Sequence, residues 1–434
     1  MQVKTGKGAI PAMVVIAIWS LSLGINLPGL AVTPIEGDLH SIFHGFSDFK
    51  VQLLTVLPNL VIIPFVLLSG RLSMTSHKIP VIATGIVIYV LSGILYLFSK
   101  SLDSLIWISC LLGAGCGLML PFSTGLIADV FTGKYKLRQM GIVSAIGNIA
   151  LVVATFVVGF LANVNWHLPF LVYILPVISL FLLPWFNKIP KNDMDLDEDG
   201  NPISLDEEEE KDPKHQPLVV PKDDDADFPT AGQKVVGGFY LGRTIWTLLA
   251  YFFFVFATTV PAYYLPNIHG IDAEKASIIT SCIYFAMFLI GISLNSVLRI
   301  FKSVSFIVSG GLLLGGFILF AFVNTELSFI IAALLVGFGQ GIAQPLFFDK
   351  ATEICVNNSH ATLSMAYLQV ANYVAIAIVP VIINFFAWIF GIDKADSLTH
   401  FPFFINMIFM AIVYFFIIIR YKHFTFGIHK AYYE

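Results

Sequence analysis

The stretch 113–121 reads Gly-Ala-Gly-Cys-Gly-Leu-Met-Leu-Pro, and residues 337–345 read Gly-Phe-Gly-Gln-Gly-Ile-Ala-Gln-Pro. The three glycines and the proline recur after a shift of 224 residues without a gap. The same shift relates three further pairs: Lys78 and Lys302, Asp129 and Glu353, and Asn148 and Asn372. A similarity that spans half of a chain indicates a duplicated unit. The repeat therefore predicts two related halves.

Both glycine stretches lie in long apolar runs, and the composition extends this character to the whole chain. Of the 434 residues, 57% are hydrophobic and 12% charged, with a mean hydropathy of +0.84, whereas soluble proteins are roughly 25% charged. Twelve apolar runs reach the length of about 20 residues that spans a bilayer; they lie at 9–33, 50–69, 79–98, 104–127, 139–163, 167–187, 243–265, 275–298, 304–323, 328–349, 362–390 and 400–421. Lipid offers no partner to a peptide group, so each run should be helical. We therefore expect an all-α polytopic membrane protein with twelve transmembrane helices in two pseudo-symmetric six-helix halves.

The predicted domains are an N-terminal half at 1–187, a linker at 188–242 and a C-terminal half at 243–434. The linker carries dense acidic runs, including Asp206 to Glu210, and is interrupted by prolines at 202, 213, 217, 221 and 229. Such a composition cannot bury a core and indicates a disordered segment.

The basic residues are sorted between alternate loops. Thirteen lie in the short segments on the side of the termini: Lys4, Lys7, Arg71, Lys78, Lys134, Lys136, Arg138, Arg299, Lys302, Lys350, Arg420, Lys422 and Lys430. Four lie in the loops on the other side: Lys50, Lys100, Lys275 and Lys394. This asymmetry predicts a multi-pass protein of a bacterial-type cytoplasmic (inner) membrane with both termini and the linker in the cytoplasm. The first apolar run is span-length and lacks a cleavage site, so we expect it to remain as the first helix.

Two patterns have the spacing of metal ligands. Asp195-x-Asp197-x-Asp199-Gly200 resembles the start of a calcium loop, but Asp206 stands in place of the bidentate glutamate and Pro202 interrupts the loop; an acidic spacer is the better interpretation. His40 and His44 lie one helical turn apart without a third ligand, which favours surface histidines.

Enzyme chemistry has no visible basis in the chain. Phosphate-binding loops, zinc-ligand clusters and nucleophile elbows are missing from the sequence. We therefore expect neither an enzyme nor a cofactor, no nucleic-acid partner, and a monomer in the lipid bilayer.

Polar side chains form stripes on several predicted helices, where they are costly unless they face a cavity or a neighbouring helix. Helix packing is the simpler interpretation of each stripe, including Ser144 with Asn148. As a set they recur at equivalent places in the two halves and predict a substrate-binding surface. Its candidate residues are Asn26, Asn148, Tyr251, Thr258, Tyr284, Gln340, Gln344, Gln369, Asn372 and Tyr373.

No Asp, Glu, Lys or Arg lies near the centre of any of the twelve runs. A buried charge on a substrate would find no counter-charge, so a neutral or amphipathic molecule is expected. A proton, the candidate coupling ion, would need a carboxylate or histidine near a helix end. The glycine rows indicate close helix packing, and five prolines are expected to free backbone carbonyls and allow bending: Pro28, Pro121, Pro261, Pro345 and Pro380.

The layout resembles that of the major facilitator superfamily. The turn 70–78, Gly-Arg-Leu-Ser-Met-Thr-Ser-His-Lys, is similar to the superfamily pattern Gly-x-Leu-x-Asp-Arg-x-Gly-Arg-Lys at Gly70, Leu72 and Lys78, but has Met74 in the acidic position. The resemblance implies that this turn and its repeat form a cytoplasmic gate, in which Arg71 or Lys78 pairs with Asp129. In the second half, Arg299 or Lys302 would pair with Glu353.

Two stretches resemble the drug:proton antiporters of that superfamily. They are 27–35, Leu-Pro-Gly-Leu-Ala-Val-Thr-Pro-Ile, and 166–170, Trp-His-Leu-Pro-Phe. The chain departs from the antiporters at Ser109, where they carry an arginine, and at Ala154-Thr155, where they have Gly-Pro.

Taken together, the duplication and the resemblance predict a secondary active transporter that moves a small neutral or amphipathic organic molecule by alternating access, with efflux as the expected direction. The alternatives are an uptake or facilitated-diffusion carrier for a neutral solute and a transport-inactive membrane sensor or scaffold.

Overall fold

The structure is a computed structural model that describes residues 2–6, 8–32, 48–74, 78–162, 164–189, 234–265, 273–356, 360–392, 400–420 and 426–428. The calcium-like acidic run, His40 and His44 lie outside these ranges, as do linker residues 190–233.

Helices dominate the described ranges. We name the twelve apolar segments by their order in the chain, first to twelfth. Their α-helices are Ala12–Ser20 (first), Asp48–Leu72, Lys78–Phe98, Leu102–Val130, Gly133–Ala162, Val177–Phe181 with Leu183–Phe186 (sixth), Leu241–Tyr264, Ala273–Phe301, Ser305–Phe322, Glu326–Glu353, Ala361–Ile389 and Phe401–Arg420 (twelfth). Short 3-10 helices lie at Leu21–Leu23, Leu168–Ile174 and Lys302–Val304.

Length and apolarity qualify eight of the described helical stretches to cross a membrane, and one of them, Lys275–Phe322, holds two helices. Three shorter apolar helices, Ala12–Leu23, Val56–Leu72 and Leu168–Phe181, stand at the remaining predicted positions. The all-α class with twelve membrane segments is thereby confirmed.

Two segments are less regular than expected. Residues 24–32 of the first run form turns, because Gly29 takes a φ of 85° and Pro28 has no amide hydrogen. The sixth run breaks into a 3-10 helix and two short α-helices around Pro176 and Leu182. Both runs are therefore helical in part, with breaks that the apolar pattern did not predict.

The duplicated glycine stretches occupy equivalent places. The fourth helix packs between the second and the third, and the tenth between the eighth and the ninth. A Cβ on Gly117 would lie 2.7 Å from the Ile62 carbonyl oxygen of the second helix, and one on Gly341 would lie 2.9 Å from Ile290 Cβ of the eighth. Only hydrogen at these positions permits the backbones to approach so closely.

The first six segments meet the last six through a small number of helix pairs. The fifth packs on the eighth and tenth, and the eleventh packs on the second and fourth. At the crossing of the fifth and eighth helices two glycines face each other: a Cβ on Gly141 would lie 2.8 Å from the Gly291 carbonyl oxygen, and a Cβ on Gly291 would lie 2.6 Å from that of Gly141. These backbones are in direct contact.

Both ends of the described chain lie at one end of the bundle, which we call the terminal face. Strands β1 (Gln2–Lys4) and β2 (Ala9–Pro11) form an antiparallel hairpin there, and the Thr132 amide donates to the Thr5 carbonyl at 2.9 Å. Phe426 packs on Phe306 at the start of the ninth helix, with ring centroids 5.6 Å apart. The other end is called the opposite face.

A second hairpin, β3 (Val235–Val236) and β4 (Phe239–Tyr240), comes from the last residues of the predicted linker. It docks on the connection between the tenth and eleventh helices. The Tyr240 amide donates to the Ile354 carbonyl at 3.0 Å, and the Val356 amide donates to the Gly238 carbonyl at 2.9 Å. The last residues of the predicted linker therefore lie at the terminal face, while the boundaries at 187 and 242 stay predictions.

At the glycine crossing we expect even the smallest side chain to destabilise the protein. Gly141→Ala and Gly291→Ala should each lower stability by roughly 1–3 kcal/mol, because the added methyl group meets backbone atoms that cannot move aside. Gly159→Ala on the same fifth helix is the matched control, since a Cβ there meets nothing within 4 Å. Melting temperatures in detergent measure the effect; equal melting temperatures for Gly141→Ala and Gly159→Ala would contradict it.

Candidate functional site

Three predicted binding residues lie together midway along the bundle, and hydrogen bonds through Ser144 join two of them. Asn148 Nδ2 donates to the Ser144 carbonyl at 2.8 Å, and Ser144 Oγ donates to Gln344 Oε1 at 3.4 Å. The Gln344 side chain also lies beside that of Tyr251. This central polar chain, Asn148–Ser144–Gln344–Tyr251, links the fifth, tenth and seventh helices and crosses between the first and last six segments.

An aromatic cluster adjoins the polar chain. The ring of Phe347 lies 5.4 Å from Tyr251, 5.2 Å from Phe254 and 5.3 Å from Phe306, measured between centroids. Tyr373 of the eleventh helix, a predicted binding residue, lies near Tyr251. Amide and hydroxyl groups therefore stand beside an apolar aromatic surface.

The remaining predicted binding residues are more scattered. Asn26 is exposed, and its Nδ2 would lie 3.3 Å from a Cβ on Gly147 of the fifth helix. Thr258 is buried and donates to its own helix, at the Phe254 carbonyl. Within the described ranges no hydrogen bond joins the others to the central polar chain; Gln369 is buried, and the half-buried ones are Tyr284, Gln340 and Asn372. The repeat-related Asn148 and Asn372 thus have different surroundings.

An ion pair crosses between the two groups of segments nearer the terminal face. Lys136 Nζ of the fifth helix lies 2.7 Å from Asp349 Oδ1 of the tenth and donates to Thr352 Oγ1 at 2.7 Å. All three residues are buried, Asp349 with 1% of its surface exposed. We call these three residues the terminal latch. Since the charges are paired away from water, separation of the two helices here would leave both unpaired.

Two further ion pairs flank the terminal latch, each within one group of segments. Lys78 Nζ lies 2.7 Å from Asp129 Oδ2, which is one of the two pairings expected for Asp129; Arg71 is exposed. Lys350 Nζ lies 3.0 Å from Glu353 Oε2.

The pairing of Glu353 with Arg299 or Lys302 is wrong in this structure. Glu353 instead lies three residues after Lys350, on the same face of the last turn of the tenth helix, and Arg243 adds a second favourable charge. Arg299 and Lys302 are both exposed.

Close packing completes the terminal face. A Cβ on Gly125 of the fourth helix would lie 2.9 Å from Thr362 Cα of the eleventh, and Gly70 of the second helix packs on Ala366 of the eleventh. Burial raises the pKa of the Cys355 thiol to about 12, so this side chain stays neutral beside the ion pairs. All the contacts between groups named above lie between the terminal face and the middle of the bundle, so the terminal face is closed.

The terminal latch was not among the residues predicted from the sequence. The shift of 224 residues relates Lys136 to His360 and Asp349 to Gly125, so a search for residues kept in both halves cannot find it. Another missed contact is the hydrogen bond from Trp19 Nε1 to Gln139 Oε1 at 2.9 Å, which joins the first and fifth segments. The sequence feature that pointed to the terminal latch was the position of Asp349 near the end of an apolar run.

Comparison with known proteins agrees with the helical layout. The sequence profile of the Major Facilitator Superfamily matches residues 13–380. Among solved structures, the human organic anion transporter MFSD10 (TETRAN) has a similar fold, with a TM-score of 0.64 at 14% identity over 93% of this chain and 98% of that one.

The sequence relatives match a smaller part of the chain than the solved structure does. Multidrug transporter protein MdtP of Bacillus subtilis is 28% identical over 155 residues, which are 35% of this chain and 27% of that protein. Quinolone resistance protein NorA of Staphylococcus aureus is 29% identical over 154 residues, 35% of this chain and 38% of that protein. The chain therefore matches about a quarter of the length of MdtP and little more than a third of the length of NorA.

The terminal latch predicts a charge-dependent closure. Lys136→Met or Asp349→Asn should weaken closure by roughly 3–5 kcal/mol, because each leaves one buried charge unpaired. The native Cys355 thiol, 3% exposed in the closed structure, should then react faster with a maleimide.

The charge-swapped variant Lys136→Asp/Asp349→Lys should recover part of the protection, and Arg138→Met, an exposed cation on the same helix, should change nothing. Unchanged Cys355 reactivity in both single variants would show that the ion pair does not hold the face closed.

Proposed function

The chain belongs to the Major Facilitator Superfamily, and from this membership we propose that it is a secondary active transporter that exports a small neutral or amphipathic organic molecule by alternating access. The central polar chain is the observation that carries the proposal. It places hydrogen-bonding groups midway along the bundle and at the boundary between the first and last six segments. In membrane transporters built from repeated units, substrates bind at such a boundary.

The chemistry of this boundary supports the substrate class. Gln344 and Asn148 offer amide groups, while Tyr251 and Phe347 offer ring faces and edges. The charged side chains of the described helices lie within six residues of a helix end, so none can neutralise a charge on a substrate in the middle of the bundle. A ligand with one polar end and one apolar or aromatic end would match both surfaces.

Export is supported by the names of the relatives. MdtP is described as a multidrug transporter and NorA as a quinolone resistance protein. The excess of basic residues assigns the terminal face to the cytoplasm, and with that assignment the structure is closed towards the cytoplasm. Movement of the two six-helix halves about the glycine crossing would alternate this state with one closed on the opposite face.

A facilitated-diffusion or uptake carrier for a neutral solute is the second candidate. The observation that favours it is the confinement of described charges to the helix ends, since proton-coupled transport commonly uses a carboxylate embedded in the membrane. Accumulation against a gradient separates the two candidates, and a protein that moves no compound at all would be a sensor or scaffold.

Purified protein in liposomes should move neutral amphipathic fluorescent dyes, and an imposed pH gradient should drive their accumulation if protons are coupled. In this assay Asn148→Ala and Gln344→Ala should raise the apparent KM by roughly 2–13-fold, the equivalent of one hydrogen bond of about 0.5–1.5 kcal/mol. Thr84→Val, an exposed residue bonded only to its own helix, is the control. A lower melting temperature with unaltered KM in both alanine variants would assign these residues to helix packing.

Orientation is tested independently of transport. In a variant whose four cysteines are replaced by serine, a cysteine at the exposed Lys134 on the terminal face should react with an impermeant maleimide only in inside-out vesicles. A cysteine at the exposed Lys100 on the opposite face should react in intact cells. The reverse pattern would overturn the assignment of the terminal face to the cytoplasm.

A further inference from the structure

The seventh helix, Leu241–Tyr264, contains a proline one turn from its end on the opposite face. Pro261 has no amide hydrogen, so the carbonyl of Ala257 loses the donor that residue 261 would otherwise supply. Inside a membrane no water replaces that donor, and an unpaired carbonyl is costly. This carbonyl therefore needs a partner from outside its own helix.

The twelfth helix, Phe401–Arg420, supplies the partner. Asn406 Nδ2 donates to the Ala257 carbonyl oxygen at 2.8 Å, and the Asn406 side chain is completely buried. Its Oδ1 is also buried and has no hydrogen-bond partner among the described residues. An amide that leaves its own acceptor unpaired is a poor choice for packing alone. The hydrogen bond to the Ala257 carbonyl is what an apolar residue at position 406 could not supply.

The location of this bond connects it to the site. Tyr251 of the central polar chain lies on the seventh helix six residues before Ala257, and Pro261 follows on the side of the opposite face. A bend between Ala257 and Pro261 therefore moves the opposite-face end of this helix without displacing Tyr251. Because the terminal latch lies at the other end of the bundle, the bond acts on the other face of the transporter.

The first segment, which occupies the equivalent place in the first six, shows related chemistry. Pro28 lacks the hydrogen that could have bonded the Gly24 carbonyl, and Tyr89 Oη of the third helix donates to that carbonyl at 2.9 Å. Leu27 adds a backbone donor at 3.4 Å. In both segments, a side chain from the same group of six holds a carbonyl that lies four residues before a proline.

We propose that Asn406 is a positioning residue that captures the carbonyl freed by Pro261 and thereby controls movement of the opposite-face end of the seventh helix. The hydrogen bond itself does not depend on function, whereas its role in movement rests on the proposed transport activity. When the bond holds, the end of the helix is fixed to the twelfth helix. When it breaks, the bend at Pro261 is free to change.

A double-variant cycle tests the bond. Asn406→Leu removes the donor at similar volume and should shift the unfolding equilibrium by roughly 3- to 20-fold, the range measured for hydrogen bonds between membrane helices. Pro261→Ala restores a backbone donor to Ala257, so Asn406→Leu in that background should cost less than about twofold. Met410→Leu, a buried apolar exchange on the same helix, is the matched control with little effect expected in either background.

Equal losses for Asn406→Leu in both backgrounds would overturn the capture of the carbonyl. If Asn406→Leu yields no folded protein, recovery of folded protein by Pro261→Ala supports the capture, and failure to recover overturns it. The stability cycle is read without any transport assay, so it remains informative whatever the substrate is.

Transport then tests the movement. In Pro261→Ala the Ala257 carbonyl accepts from both the residue-261 amide and Asn406, which holds the end of the helix straight. This variant should lower the maximal rate of dye flux in liposomes severalfold. KM should change little, since Tyr251 keeps its place. An unchanged maximal rate in both Pro261→Ala and Asn406→Leu would overturn the positioning role and leave a purely structural bond. Absence of flux in the unmodified protein would remove the proposed function, and the positioning role with it, while the stability cycle would still report the bond.

Discussion

The satisfaction of backbone hydrogen bonds in hydrocarbon is the constraint on which the rest of this structure depends. It explains why apolar runs become helices, and also where other residues must assist. Where the first segment stops being helical, Tyr89 donates to the Gly24 carbonyl and the Ala31 amide donates to Tyr173 Oη at 3.3 Å. Departures from helix in a membrane protein therefore indicate which buried polar side chains have a defined task.

A second consequence follows for the contact between the two groups of segments. Lipid gives helices little hydrophobic reason to associate, so association relies on close backbone approach and on polar pairs. Both kinds are present here, but at different depths. Charge lies at the terminal face in the terminal latch, neutral hydrogen bonds lie midway in the central polar chain, and the glycine crossing lies between them along the fifth helix. This order keeps the charged contact closest to water, where its separation costs least.

The sequence was sufficient for the class, the number of segments and the equivalent packing of the fourth and tenth helices, because apolar length and glycine spacing are local properties. It was insufficient for the irregular first and sixth segments, where the position of each proline decides the outcome. In the candidate site, Asn148, Gln344 and Tyr251 lie close together, and their role in substrate binding stays a prediction. The terminal latch and the bond from Asn406 to Ala257 were not found, since each depends on how two distant helices rotate against one another. A repeat search finds residues that both halves share, whereas the shift of 224 residues relates Lys136, Asp349 and Asn406 to His360, Gly125 and Leu182.

The crossing of Gly141 and Gly291 has a mechanical consequence. Most helices pack by ridges of side chains set into grooves, so relative rotation requires side chains to climb past one another in steps. Here the backbones of Gly141 and Gly291 touch, and only the side chains of Ala145 and Leu294 border the contact. With so few side chains to displace, we expect the two helices to change their crossing angle more easily here than at an ordinary contact, so the contacts at the two ends of the bundle would set that angle.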